Sequence, residues 1–183
     1  PNDFYFLTTE GGQVEGTGVD GRDGGGLWRL RFDDIERPEL GAELTLLLDG
    51  SEVVPGGEPK LNKPDNMVVD ARGNVLIQED PGSNNHLARI VAYRITDGAL
   101  GVVARFDPAL FGAGATADPT RLTIDEESSG IIDLGQGEFL FDAQVHTAKG
   151  LTAGTGPGTV GELVERGQLL LMKVADFGSV YGA

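Results

Sequence analysis

The sequence KPDNMVVDARGNVLIQED, residues 63–80, carries the clearest fold signal in the chain. Two apolar runs, residues 67–69 and 75–77, flank a turn of the form Asp-x-x-Gly-Asn at residues 70–74. Gly73 can adopt the positive φ that a bulged turn between antiparallel strands requires. The segment therefore predicts a β-hairpin with polar side chains at both of its ends.

Strand patterns recur along the rest of the chain, whereas helical periodicity is scarce. Apolar or alternating runs lie at residues 4–8, 27–32, 44–48, 66–69, 75–78, 88–95, 102–106, 129–132, 138–141 and 168–174. A turn of helix is expected only at residues 107–111 and 161–166. The strands group into three similar units, at residues 3–50, 63–107 and 121–176, with a spacing of about 50 residues that is typical of propeller blades.

These units predict an all-β chain, a single β-propeller domain over residues 1–183 or the C-terminal portion of one. About three to four four-stranded antiparallel sheets are expected. Propellers close their ring with roughly four to eight blades, and the first strand pattern begins abruptly at residue 4. We therefore expect part of a larger propeller, completed by a missing N-terminal segment or by a second chain.

Composition narrows the classes of partner. The 29 Asp and Glu residues outnumber the 14 Lys and Arg residues, giving a net charge of −15. This charge would repel DNA, RNA and anionic lipid, and it suits a protein that collects cations or one with a solvated acidic surface. The chain has no cysteine, which excludes disulfides and thiolate metal sites, and no apolar run is long enough to span a bilayer.

The two ends of the predicted hairpin carry oxygen ligands. Asp65 and Asn66 lie at the start of the first predicted strand, and Glu79 and Asp80 lie at the end of the second. Calcium takes six to eight oxygen ligands from carboxylates, carboxamides and carbonyls. Either these four residues bind calcium in the channel of a propeller, or they are turn formers that stabilise the entry and exit of the strands.

Three segments in order resemble the secreted bacterial alkaline phosphatases of the PhoX type. The hairpin segment resembles that family's PDN…DxxGN…ED element. GGLWRLRFDD…AELTLLLDGSE resembles the blade that precedes this element, and ESSGIIDLGQGEFLFDAQVHT followed by ELVERGQLLLMKV resembles the C-terminal end. The resemblance spans roughly residues 5–174.

The resemblance implies a calcium-dependent phosphomonoesterase that is secreted, periplasmic or attached to the cell envelope. Its substrate would be a small-molecule phosphoester, and its propeller channel would hold calcium and, in some members, iron. The implied metal ligands are the acidic and amide residues Asp65, Asn66, Glu79, Asp80, Glu126 and Glu127. Arg22, in a glycine-rich loop, is the candidate for phosphate binding, since a guanidinium binds phosphate bidentately.

Two other functions remain open. The chain could be a non-catalytic, calcium-stabilised module of the cell surface, because the family's upstream ligands are not within it. It could also be a lactonase-like hydrolase with one calcium ion, which would need ligands from four blades. No Ser-His-Asp order, P-loop or zinc-protease motif points to another enzyme class.

Overall fold

A computed structural model describes residues 2–9, 24–55, 57–80, 86–111, 126–145 and 168–182. Within these ranges lie ten strands: β1 (Asp3–Thr8), β2 (Gly26–Phe32), β3 (Ala42–Asp49), β4 (Pro64–Val69), β5 (Asn74–Glu79), β6 (Arg89–Arg94), β7 (Leu100–Arg105), β8 (Glu126–Gly135), β9 (Glu138–Val145) and β10 (Gln168–Lys173). Two four-residue helices, Pro108–Phe111 and Phe177–Val180, and a 3-10 turn, Pro38–Leu40, accompany them. No helix in the described ranges is both long and apolar enough to cross a membrane.

The strands form antiparallel sheets, in the orders β1-β2-β3, β4-β5-β6-β7 and β10-β9-β8. The predicted all-β fold built from antiparallel sheets is therefore confirmed. The expectation of four strands in each sheet holds for one of the three sheets within the described residues. Their arrangement as propeller blades stays a prediction.

The chain divides into two compact units, Pro1–Asp65 and Asn66–Ala183, with the boundary inside β4. The first unit contains the three-stranded sheet β1-β2-β3. Phe4 pairs with Leu30, which pairs with Leu44, so the three side chains share one face of this sheet. Phe4 and Leu44 are exposed on that apolar face.

The second unit contains the other two sheets and most of the buried apolar residues. Its core is a cluster between the sheets, formed by Leu76, Ile90, Ile131, Phe139 and Val174. The predicted hairpin β4–β5 lies on one side of this core. Its turn has Gly73 at φ 83°, as expected, and the Asp70 carboxylate accepts hydrogen bonds from the backbone N–H of Arg72 and of Asn74 (both 2.8 Å).

Two elements differ from the sequence prediction. Strand β8 begins at Glu126, three residues before the apolar run at 129–132, because its backbone already pairs with β9 there, Glu126 opposite Val145. The helix Phe177–Val180 was not predicted. The Asp176 carboxylate caps it by accepting from the Gly178 N–H (2.8 Å), and Phe177 and Val180 pack against the core of the second unit.

Candidate metal site

The layer between the two sheets of the second unit changes from apolar to polar along its strands. Gln78 pairs with Ile90 across β5 and β6, so its side chain shares the face on which Ile90 joins the core. Gln78 is 0% exposed, and among the described residues neither its amide nitrogen nor its carbonyl oxygen has a hydrogen-bond partner. A buried carboxamide without partners costs free energy, so this end of the layer is a place where a ligand could be stabilising.

The facing sheet adds polar groups to the same end of the layer. Ser128 pairs with Ala143, which lies four residues after the core residue Phe139 on β9, so Ser128 faces the same layer. Its buried hydroxyl also has no hydrogen-bond partner within the part of the chain that the structure describes. Glu126, two residues earlier on the same face, is 2% exposed and accepts a hydrogen bond from the Ala88 N–H at Oε1 (3.2 Å).

The beginning of β4 reaches β8 as well. Asn66 Nδ2 donates to Ser129 Oγ (3.2 Å), which ties the PDN element of the hairpin to the strand that carries the glutamates. We call this region of the second unit the polar end, and we define it by Asn66, Gln78, Glu126 and Ser128. Strand ends that are distant in sequence therefore meet in this unit.

Glu79 lies on the opposite face of β5 and is bound by an arginine. Arg89 on β6 donates from Nε to Glu79 Oε2 (2.8 Å) and from Nη2 to Oε1 (2.6 Å), and its backbone N–H also donates to Oε2 (3.2 Å). The two side chains are 1% and 7% exposed. A guanidinium thus already neutralises the charge of Glu79, and coordination of a metal by Glu79 would compete with this ion pair.

The other predicted ligands have different surroundings. Glu127 is 7% exposed, but it precedes Ser128 and pairs with Gln144, so it points to the face of β8 opposite Glu126. Asp80 follows β5 and is half-buried, and Asp65 is exposed at the last position of the first unit. Arg22 lies outside the described residues.

The donor set of the polar end fits calcium. It combines a carboxylate, carboxamides and a hydroxyl, all of them oxygen donors that calcium accepts. Among the described residues, no group of three or more His, Asp or Glu side chains is placed to hold a metal ion. Calcium bound here would therefore depend on neutral oxygen atoms as much as on acids.

Ser128 carries no signal in the sequence, whereas Gln78 belongs to the oxygen-bearing side chains at the end of the hairpin and Arg89 lies in an alternating strand, where an ion pair is the simpler interpretation. Gln78 did offer a signal, because it follows the apolar run Val75, Leu76, Ile77, in which both faces of the strand are buried. A polar residue in such a run needs a buried partner or a ligand. The pairing of Arg89 with Glu79 depends on the register of β5 and β6 across a segment of ten residues, which the sequence does not specify.

Comparison of this chain with protein-family models, with curated proteins and with solved structures finds no match. The resemblance to the PhoX-type phosphatases therefore stays a prediction from sequence motifs.

Proposed function

We propose that the chain is part of a calcium-dependent phosphomonoesterase of the PhoX type, exported from the cell. The observation that carries the proposal is the burial of the Glu126 carboxylate at the start of β8, on the face of that strand that Ser128 shares. Gln78 and Ser128 face the same layer between the sheets, and their buried polar atoms have no hydrogen-bond partner among the described residues, so an ion there would be stabilising. Of the ligands that the resemblance implies, Glu126 is thus a buried carboxylate in a layer that also contains neutral oxygen donors.

The described residues support and orient such a site. The Ala88 N–H holds Glu126, and Asn66 is anchored to Ser129. Calcium, when bound, would polarise a phosphoryl oxygen and activate water for attack on phosphorus. The side chains of the chain would position the ion and exclude bulk water from the layer between the sheets.

Two exposed apolar faces support the larger propeller that this function implies. Phe4, Phe6 and Leu44 are exposed on the first sheet. On the third sheet, Leu171 and Ile132 both pair with Leu140, so Ile132, Leu134, Leu169 and Leu171 lie on one exposed face opposite the core residue Phe139. Blades pack face to face, so further blades, from a longer chain or a second one, would cover these faces.

Hydrolysis of p-nitrophenyl phosphate tests the proposal. We expect activity that EGTA removes and calcium restores, and a loss of about 100-fold or more in Glu126→Gln. Glu138→Gln is the matched control, because Glu138 forms an exposed pair with Lys173 (2.8 Å) and should keep full activity. Activity that survives thorough demetallation would contradict the proposal.

The Arg89–Glu79 pair favours a second candidate, a non-catalytic propeller module that calcium stabilises. Glu79, the most deeply buried of the predicted ligands, is then part of a structural ion pair with Arg89. The remaining oxygen atoms are sufficient for a structural ion but include few acids for catalysis. This candidate predicts that calcium raises the melting temperature of the chain while no phosphoester is hydrolysed at any pH. Turnover that depends on calcium would exclude it.

A further inference from the structure

We propose that Gln78, Ser128 and Glu126 form a binding site for one calcium ion between the two sheets of the second unit. The identity of the ion rests on the proposed function, whereas the site rests on the burial and the contacts of these three residues. It assigns ligand roles to Gln78 and Ser128, which lie outside the ligand set that the resemblance implies, and it leaves Glu79 to its ion pair with Arg89.

The first argument is the number of polar atoms without partners. The carbonyl oxygen and the amide nitrogen of Gln78 and the hydroxyl of Ser128 are all buried, and none has a hydrogen bond to a described residue. Native proteins leave few such atoms, and those that remain require an explanation such as an ion or water. Here they face one layer from opposite sheets, since Gln78 lies beside Ile90 and Ser128 lies beside Ala143.

The second argument places Glu126 with them. Its hydrogen bond from the Ala88 N–H brings the carboxylate next to the residue that leads into β6. Ala88 lies two residues before Ile90, the cross-strand partner of Gln78, and on the same face. Strands β5 and β8 lie next to each other, and the carboxylate, the carboxamide and the hydroxyl all face the layer between them.

The charge of Glu126 favours a cation at this site. An anion would be repelled by Glu126 in a layer where the other two groups are neutral. A cation is attracted by the carboxylate and by the oxygen atoms of Gln78 and Ser128, and water around the ion can accept from the Gln78 amide group. A carboxylate with neutral oxygen donors suits calcium, which tolerates six to eight ligands in flexible geometry, better than magnesium, which demands a regular octahedron.

Thermal unfolding with calcium and with EDTA tests the site without reference to activity. The wild-type melting temperature should rise by about 5–10 °C when calcium is present at 100 times its Kd. In EDTA, Gln78→Leu and Ser128→Ala should each raise the melting temperature by about 2–4 °C, because an unpaired buried polar group is removed. In both variants the additional rise caused by calcium should disappear.

In EDTA, Gln78→Glu should change the melting temperature in the direction opposite to Gln78→Leu. A second buried carboxylate should lower the melting temperature in EDTA and increase the rise caused by calcium, since the ion would neutralise both acids. Gln168→Leu, a matched change of an exposed glutamine on β10, should leave the calcium effect as it is in the wild type.

Three results would overturn the site: no calcium effect in the wild type, an undiminished effect in Gln78→Leu and Ser128→Ala, or an equal response to potassium. The second would mean that the groups hold only water. Calcium could raise the melting temperature of the wild type but not of Gln78→Leu, while no phosphoester is hydrolysed. In that case the site stands and the phosphatase proposal fails. If hydrolysis depends on calcium but the rise in melting temperature caused by calcium is unchanged in Gln78→Leu, the phosphatase proposal stands and the site at Gln78 fails.

Discussion

The two units of the chain contain arginine–carboxylate pairs of similar geometry in opposite surroundings. In the first unit, Arg31 on β2 binds both oxygens of Asp3 on β1 (2.5 and 2.8 Å), with the side chains 51% and 27% exposed. In the second, Arg89 on β6 binds both oxygens of Glu79 on β5, with the side chains 7% and 1% exposed. Both are cross-strand, bidentate pairs.

The difference lies in what surrounds each pair. Strand β1 alternates exposed and half-buried residues, whereas every residue of β5 is buried. Water screens the exposed pair, so its net contribution is small. The buried pair has lost its hydration, so each partner depends on the other to offset the cost of an isolated charge. The same contact is therefore peripheral in one unit and structurally essential in the other.

The largest expected effect comes from breaking the buried pair. Glu79→Ala should lower the free energy of unfolding by about 3–5 kcal/mol, because it leaves the Arg89 guanidinium buried without its carboxylate. Urea denaturation measures this change. The double variant Glu79→Leu with Arg89→Met should recover most of the loss, since apolar residues can replace a buried pair. Equal losses in Glu79→Ala and Asp3→Ala would abolish the contrast between the units.

The same substitution, leucine to alanine, should have different effects on the stability of the two units. Leu76→Ala should cost about 2–5 kcal/mol, because Leu76 is fully buried between the two sheets and its removal leaves a cavity. Leu44→Ala, on the exposed face of the first sheet, should cost less than about 1 kcal/mol. A large loss for Leu44→Ala would mean that this face is covered in solution, as it would be by further blades.

A smaller effect should appear at alkaline pH. Burial raises the pKa of Tyr181 to about 12, with Asp70 and Asp97 adding to the rise and Arg94 opposing it. Since the folded pKa exceeds the ordinary 10.0, its contribution to stability is complete below pH 10.0 and is lost as the pH rises through 12.

Tyr181→Phe tests this assignment. It removes the hydrogen bond from the Tyr181 hydroxyl to Asn74 Oδ1 (2.8 Å) and should cost about 1 kcal/mol at pH 7. Absorbance titration at alkaline pH should lose the tyrosine that ionises near pH 12. Retention of that ionisation in the variant would show that another tyrosine is responsible.

The smallest effect is expected at the exposed pair. The hydrogen bonds from Arg31 hold the pKa of Asp3 below its ordinary value of 3.8. A lowered folded pKa means that the contribution is present above that ordinary value and lost as the pH falls through the folded pKa. Asp3→Asn should therefore differ only slightly from the wild type at pH 7, and the difference should vanish in acid and in high salt. A large, salt-independent difference would contradict the exposed environment.

Much of the fold follows from the sequence because its strands have local signals. The alternation in β2, the apolar run in β5 and the Asp70–Gly73 turn identify elements that the structure contains. The first residues of β8 have no such signal, because Glu126 and Glu127 are polar and become strand only by pairing with β9. Glu126 and Glu127, which precede the strand pattern in the sequence, therefore belong to a buried strand because β8 pairs with a distant segment.

The candidate site was predictable only in part, for the same reason. The sequence indicates which acids cluster near strand ends, and Asn66 and Glu126 do reach the polar end. It does not indicate which face of a strand each side chain takes. Gln78 and Glu79 are neighbours in sequence, yet one points into the layer between the sheets and the other toward Arg89. That choice is set by register, which depends on the whole sheet.

Calcium binding to the unmodified 183-residue chain tests the central claim most directly. After removal of metals with EGTA, equilibrium dialysis at physiological ionic strength should find at least one calcium ion bound per chain. Glu126→Gln should lose that ion, and the exposed variant Glu138→Gln should keep it. A wild-type chain that binds no calcium above the level of Glu126→Gln would contradict the account.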